Sequence, residues 1–133
     1  MSDVRWKATH EFGALTAIFA SRRFDEEDSL YQPFDEYAFT FEGGRLTVSA
    51  QAEDDSISVG SEPLSSGSVE DISQQQPWDS LIGSGLIWSW RLRNQQGYDD
   101  GFQVEFHAGA QSTLIQFVCE ASSLTVYIVK PLR

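Results

Sequence analysis

Apolar and polar side chains alternate through most of this chain, and a period of two is the mark of half-buried β-strands. In residues 14–21, Leu15, Ala17 and Phe19 fall on one side and Ala14, Thr16, Ile18 and Ala20 on the other, so both faces suit an interior strand. Residues 22–33 are charged and turn-like around the run Asp25-Glu26-Glu27-Asp28. Tyr37, Phe39 and Phe41 then alternate with Ala38, Thr40 and Glu42, and beyond Gly43-Gly44 the alternation resumes with Leu46, Val48 and Ala50. Adjacent glycines supply the positive φ angles of a two-residue turn, so these runs read as a hairpin. Asp54-Asp55 marks a second turn, and Ile57 with Val59 a short third strand.

Residues 60–76 are rich in Ser, Gly, Gln and acids, with Pro63 among them, and read as a long polar surface loop. Residues 77–82 fit one or two helical turns: Pro77 suits the first position, Gly83 can end the turn, and Trp78, Leu81 and Ile82 would face inward. Beyond it the pattern is more strongly β. Leu86, Trp88, Trp90 and Leu92 alternate with Ile87, Ser89, Arg91 and Arg93, and Phe102, Val104 and Phe106 with Gln103, Glu105 and His107. Turns at Gly109-Ala110-Gln111 and Ser122-Ser123 separate two further runs, Thr113, Ile115, Phe117, Cys119 and Leu124, Val126, Ile128. Four strands with short loops predict an antiparallel meander. The expected fold is one domain over residues 1–133, mainly β with α+β as the alternative. It is drawn as a single antiparallel sheet of about seven or eight strands, strongly bent into a sandwich or partial barrel, with one or two short helices.

Charge adds a second axis. The formal net charge is −11, and residues 24–85 hold 14 acidic residues against the single base Arg45, a local net of −13. Such a field repels nucleic-acid phosphates and anionic membranes and attracts a basic protein. Solubility is the simpler role for the same carboxylates. No apolar run reaches the roughly 18 residues of a membrane helix, and residues 1–7 lack the apolar stretch of a secretory signal. With one cysteine, Cys119, no internal disulfide is expected. A cytoplasmic protein is the expectation.

The densest cluster of hydrogen-bonding side chains is the loop at residues 94–101. Gly97 and Gly101 can take conformations closed to other residues, and Asn94 and Asp100 favour turns by bonding nearby backbone. Gln95, Gln96, Tyr98 and Asp99 exceed what a turn requires. If Leu86, Trp88, Trp90 and Leu92 face the core, Arg91 and Arg93 join Gln103, Glu105 and His107 in one outward polar stripe, with Arg91 opposite Gln103 or Glu105. Cross-strand pairing on a wet face explains such a stripe structurally; a recognition surface with both charge signs explains it functionally. By the same phasing, Trp88 and Trp90 belong to the core rather than to an exposed stacking platform. Trp6 is left unassigned.

The run Trp88-x-Trp90, then Asn94-Gln95-Gln96-Gly97-Tyr98-x-Asp100-Gly101-x-Gln103-x-Glu105-Phe106, resembles a small bacterial domain family of unknown function. The likeness covers about residues 77–107 and extends more weakly into the hairpin at residues 37–48. It implies a bacterial origin and a compact domain, and no reaction. By analogy, small acidic domains of this sort are often immunity proteins that neutralise toxins.

Catalytic signatures are missing from the sequence. Cys119 lies on a core-facing position and the only histidines are His10 and His107, so a Cys119/His107 nucleophile is disfavoured. No nucleophile elbow or phosphate-binding glycine loop appears. The paired acids, Glu53 to Asp55 among them, lack the alternating oxygen spacing of a calcium loop, and two histidines without ligand spacing make no zinc site. The expectation is no cofactor, no metal and no catalytic residue. The leading reading is a domain that binds a basic protein through Asn94, Gln95, Gln96, Tyr98, Asp99, Arg91, Arg93, Gln103, Glu105 and His107. The alternative is a small-molecule module or enzyme with a pocket near Tyr98, Asp99, Glu105 and His107. A homodimer completed across an edge strand is a third.

Overall fold

The computed structural model describes residues 12–22, 34–51, 55–64, 68–120 and 123–129. Trp6, His10, the 25–28 acidic run, Glu53, Asp54 and Ser122 lie outside them. The described residues form nine strands and one short 3-10 helix. Strands β1 (Leu15–Arg22), β2 (Glu36–Phe41), β3 (Gly44–Gln51), β4 (Ser56–Gly60) and β5 (Ser68–Asp71) make one antiparallel sheet in the order β4-β3-β2-β1-β5. Strands β6 (Gly85–Arg93), β7 (Asp99–Ala108), β8 (Gln111–Glu120) and β9 (Ser123–Val129) make a second, in chain order.

The fold is mainly β as expected, and β6 to β9 pair in chain order as the meander requires. One bent sheet is corrected to two sheets, not closed into a barrel. The break falls where the chain leaves β5 at one edge and enters β6 through the 3-10 helix Trp78–Leu81. Residues 60–76 are not wholly loop: β5 lies within them and pairs with β1, Phe19 opposite Asp71 and Ser21 opposite Val69. That partner is distant in sequence, so local pattern could not show it. The Arg22 guanidinium ties the pairing down, 2.9 Å from Glu70 Oε1 and over the Phe34 ring at 4.1 Å.

The two sheets share one core. Tyr37 and Phe39 from β2 meet Trp78 and Phe117 with ring centroids 5.2 to 5.9 Å apart, and Phe39 and Phe41 meet Phe106 at 5.4 and 6.4 Å. Offset and tilted rings at these separations add to the burial energy of each aromatic. Burial pushes the Tyr37 phenol well above the usual tyrosine range, with Arg22 opposing weakly. On β1 the alternation slips: Leu15 pairs with Phe41 and Ala17 with Thr40, leaving Thr16 as an extra residue. Leu15 therefore joins Ile18 and Ala20 on the core side, not Ala17 and Phe19. A bulge of this kind bends a strand, and here the bent end reaches the second sheet. Leu15 N donates to Ser84 O, and Gly83 N donates to Leu15 O.

The first hairpin forms as read, with its turn one residue earlier: Phe41 pairs with Gly44, and Glu42-Gly43 make the bend. Glu42 Oε1 accepts a hydrogen bond from Ala14 N at 2.8 Å and lies against Gly13, whose φ is +72°. A Cβ there would come within 2.9 Å of that oxygen, so the close approach requires glycine.

Candidate functional site

The second sheet has one face in the core and one in solvent, and the occupants of the solvent face depend on a single residue. At the start of the β6–β7 ladder Leu86 pairs with Phe106, and both are buried. The next pair is Trp88 with Glu105, so Ile87 is an extra residue on β6. A one-residue slip moves every following side chain to the opposite face. Ser89 now pairs with buried Val104 and Arg91 with buried Phe102, while Trp88 and Trp90 turn outward beside Glu105 and Gln103. Trp88 is 61% exposed and Trp90 41%. The core assignment of these two tryptophans is thereby corrected, and so is the polar stripe. Gln103, Glu105 and His107 do share the outer face, but on β6 Gln103 and Glu105 stand opposite indoles rather than arginines, and His107 stands opposite Gly85.

Strand registers extend this face across the whole sheet. Trp90, Gln103, Gln116 and Tyr127 form one row over β6, β7, β8 and β9. Trp88, Glu105, Leu114 and Val129 form the next, and Leu92, Gly101, Val118 and Thr125 the one after. With strands about 4.8 Å apart, each row crosses about 14 Å. Leu92 packs over Gly101, where a Cβ would lie 2.8 Å from the Leu92 Cβ. Tyr127 is exposed, and its hydroxyl lies 3.5 Å from Glu120 Oε1. Among the described residues the side chains of Glu105, Gln103 and Gln116 engage in no hydrogen bond or ion pair. The face thus combines exposed aromatics with open amide and carboxylate groups.

The loop closing β6 onto β7 is built around Asn94. Its Oδ1 accepts from Gln96 N at 2.9 Å and Tyr98 N at 3.2 Å, its Nδ2 donates to Asp100 Oδ2 at 3.1 Å, and its own N donates to Tyr98 O. Gly97 takes φ +89°. Asn94 is therefore a structural hub, while Gln95, Gln96 and Tyr98 stand exposed around it. A second slip leaves Asp100 extra and sets Arg93 opposite Asp99, Nε to Oδ1 at 2.9 Å. The hydrogen bond from Arg93 holds the Asp99 carboxyl below its usual range, and Arg91 adds to the effect.

The expected pocket group does not converge. Tyr98 and Asp99 stand at one end of β7 and His107 at the other, eight positions along, on the order of 25 Å at the rise of a strand. Glu105 is about 20 Å from Asp99 by the same measure. His107 Nδ1 lies 3.3 Å from Ser112 Oγ. Cys119 is buried on the opposite face of the sheet from His107, near the other end of β8, so the two cannot form a catalytic pair. Groups of three or more metal-ligating side chains do not occur among the described residues.

Phasing on sequence missed Trp88, Trp90, Gln116 and Tyr127 as surface residues. For the tryptophans a signal was present: Leu86-Ile87-Trp88 is three apolar residues in a row, a break in alternation that a bulge explains. Gln116 and Tyr127 occupy the outward phase of their strands and were readable once the face itself was in question. A family model described as a family of unknown function (DUF6334) matches residues 1–133, well beyond the segment at 77–107. No curated protein and no solved structure matches the chain.

Proposed function

We propose that this chain, which belongs to the DUF6334 family of unknown function, is a binding protein that docks a basic protein on the outer face of its second sheet. The observation that carries the reading is the pair of exposed tryptophans, Trp88 and Trp90, on a sheet face continuous with Tyr127 and closed at one end by the 94–101 loop. Exposed indoles lose apolar hydration when covered, and Trp, Tyr and Arg dominate the energy of protein interfaces. Open Gln103, Gln116 and Glu105 supply the polar contacts that fix orientation.

The net charge of −11 selects the sign of the partner. Most of that charge falls in residues 24–85, the stretch of sequence that includes strands β2 to β5 of the first sheet. Its field is screened over a Debye length of about 8 Å at physiological salt, so it assists encounter more than it holds the complex. Neutralisation of a basic toxin in a bacterial cytoplasm is the concrete form this reading takes.

Photo-crosslinking tests it. A crosslinking amino acid at position 116, inside the face, is expected to capture a basic protein in native cells, and Trp88→Ala/Trp90→Ala to abolish that capture. The same probe at position 69, exposed on β5 of the first sheet, is expected to capture nothing. Capture at position 69 with none at 116 would move the docking surface to the other sheet.

A further inference from the structure

We infer that Trp88, Trp90 and Glu105 form a receptor for one cationic side chain, lysine or arginine, presented by the docked protein. The inference rests on the docking reading and names the contact at its centre. Glu105 stands directly across the ladder from Trp88 and diagonally from Trp90, on the same face. Opposed side chains on one face of a sheet have Cβ atoms about 5 Å apart, and diagonal neighbours about 7–8 Å, within reach of an indole. A carboxylate flanked by two indoles attracts a cation in two ways at once, by its charge and through the ring quadrupoles.

The described residues leave this carboxylate unanswered. Glu105 has no ion pair or side-chain hydrogen bond among the described residues. Of the arginines on the same sheet, Arg93 is paired with Asp99 at the loop end, and Arg91 lies on the opposite phase of β6 beside Phe102. His107, two positions along β7 on the same face, is turned to Ser112. Glu120, the other carboxylate on this face, is met by Thr125 Oγ1 at 3.4 Å and by the Tyr127 hydroxyl. The open carboxylate is thus the one beside the indoles, and a partner cation completes it.

Charge also excludes the simplest rival. A second copy seated face to face across a two-fold axis would bring together two chains each at −11 and two uncompensated Glu105 carboxylates. A sugar stacking on the tryptophans needs no cation and is separated by experiment.

The whole chain is titrated with hexa-arginine and with hexa-citrulline, its neutral isostere, and read by tryptophan emission and by the amide resonances of β6 and β7. Hexa-arginine is expected to shift the amides around Trp88 and Glu105 with saturation, and hexa-citrulline not to. Glu105→Gln and Trp88→Ala are each expected to weaken binding about fivefold or more, and Glu120→Gln to leave it unchanged. Unaltered amide spectra away from β6 and β7 verify that the variants fold. Equal binding of citrulline, no effect of Glu105→Gln, binding of a neutral oligosaccharide in place of the peptide, or a stable dimer by light scattering overturns the inference. If the peptide fails while crosslinking at position 116 persists, the cation site is wrong and the docking surface stands. If both fail, both are wrong.

Discussion

Trp88 stands opposite Glu105 on the solvent face of the second sheet, although two positions earlier Leu86 stands opposite Phe106 in the core. Stability should follow that difference. Trp88→Ser and Trp90→Ser are each expected to cost less than about 1 kcal/mol, the scale of an exposed cross-strand pair. Trp78→Ala removes an indole that is 6% exposed and packed on Tyr37 and Phe39, and is expected to cost about 3–5 kcal/mol. Urea denaturation with fixed slopes measures all three. Losses of several kcal/mol at Trp88 or Trp90 would return them to the core.

The same bulge marks where sequence reading stops. Alternation located the strands because half-buried strands must alternate, and short polar turns identified the meander because little else joins neighbouring strands. Insertions at Thr16, Ile87 and Asp100 each change the face that follows, and each leaves only a faint local trace. For Ile87 the trace is three successive apolar residues, which a period-two reading absorbs without comment. The pairing of β5 with β1 depends on residues roughly 50 positions apart, as in Ser21 with Val69, and lies beyond any local pattern. The candidate site was therefore half legible. Gln103, Glu105 and the exposed loop residues could be found, whereas the tryptophans beside them required the register.

Leu92 and Gly101 form a contact that excludes any larger residue. A Cβ at position 101 would lie 2.8 Å from the Leu92 Cβ and 3.0 Å from its Cδ1. Gly101→Ala is expected to destabilise the chain by about 1–3 kcal/mol through overpacking. Leu92→Ala alone removes partly buried packing, yet it retains the Cβ that clashes, so the double variant should recover only part of the loss. A double-mutant cycle in urea reads the coupling, and strict additivity would mean that the two residues do not touch.

Asn94 holds the loop by accepting and donating at once. Asn94→Ala removes both acceptor bonds to Gln96 N and Tyr98 N, and is expected to raise hydrogen exchange at those amides by about tenfold, the equivalent of about 1.4 kcal/mol of local opening. Asn94→Asp keeps an acceptor oxygen but sets a second carboxylate against Asp100 Oδ2, the group that Nδ2 now satisfies. That variant should therefore protect the loop better at low pH than at neutral pH. Unchanged exchange in Asn94→Ala would remove Asn94 from its place as the hub.

Arg93 sets the acid sensitivity of the same loop. Its hydrogen bond, followed by its charge and that of Arg91, outweighs desolvation and holds the Asp99 carboxyl below the ordinary range. A depressed native value means that the ion pair is fully formed above the unfolded aspartate value of about 3.9 and is lost as pH falls through the lower native value. Arg93→Ala is expected to move the Asp99 midpoint upward toward the ordinary value. Arg93→Lys keeps the charge without the Nε–H directed at Oδ1, so its midpoint should fall between the two. Side-chain carboxyl carbon shifts followed by NMR from neutral to acid pH give these midpoints directly. An Asp99 midpoint that stays in place in Arg93→Ala would show that Arg93 does not hold it.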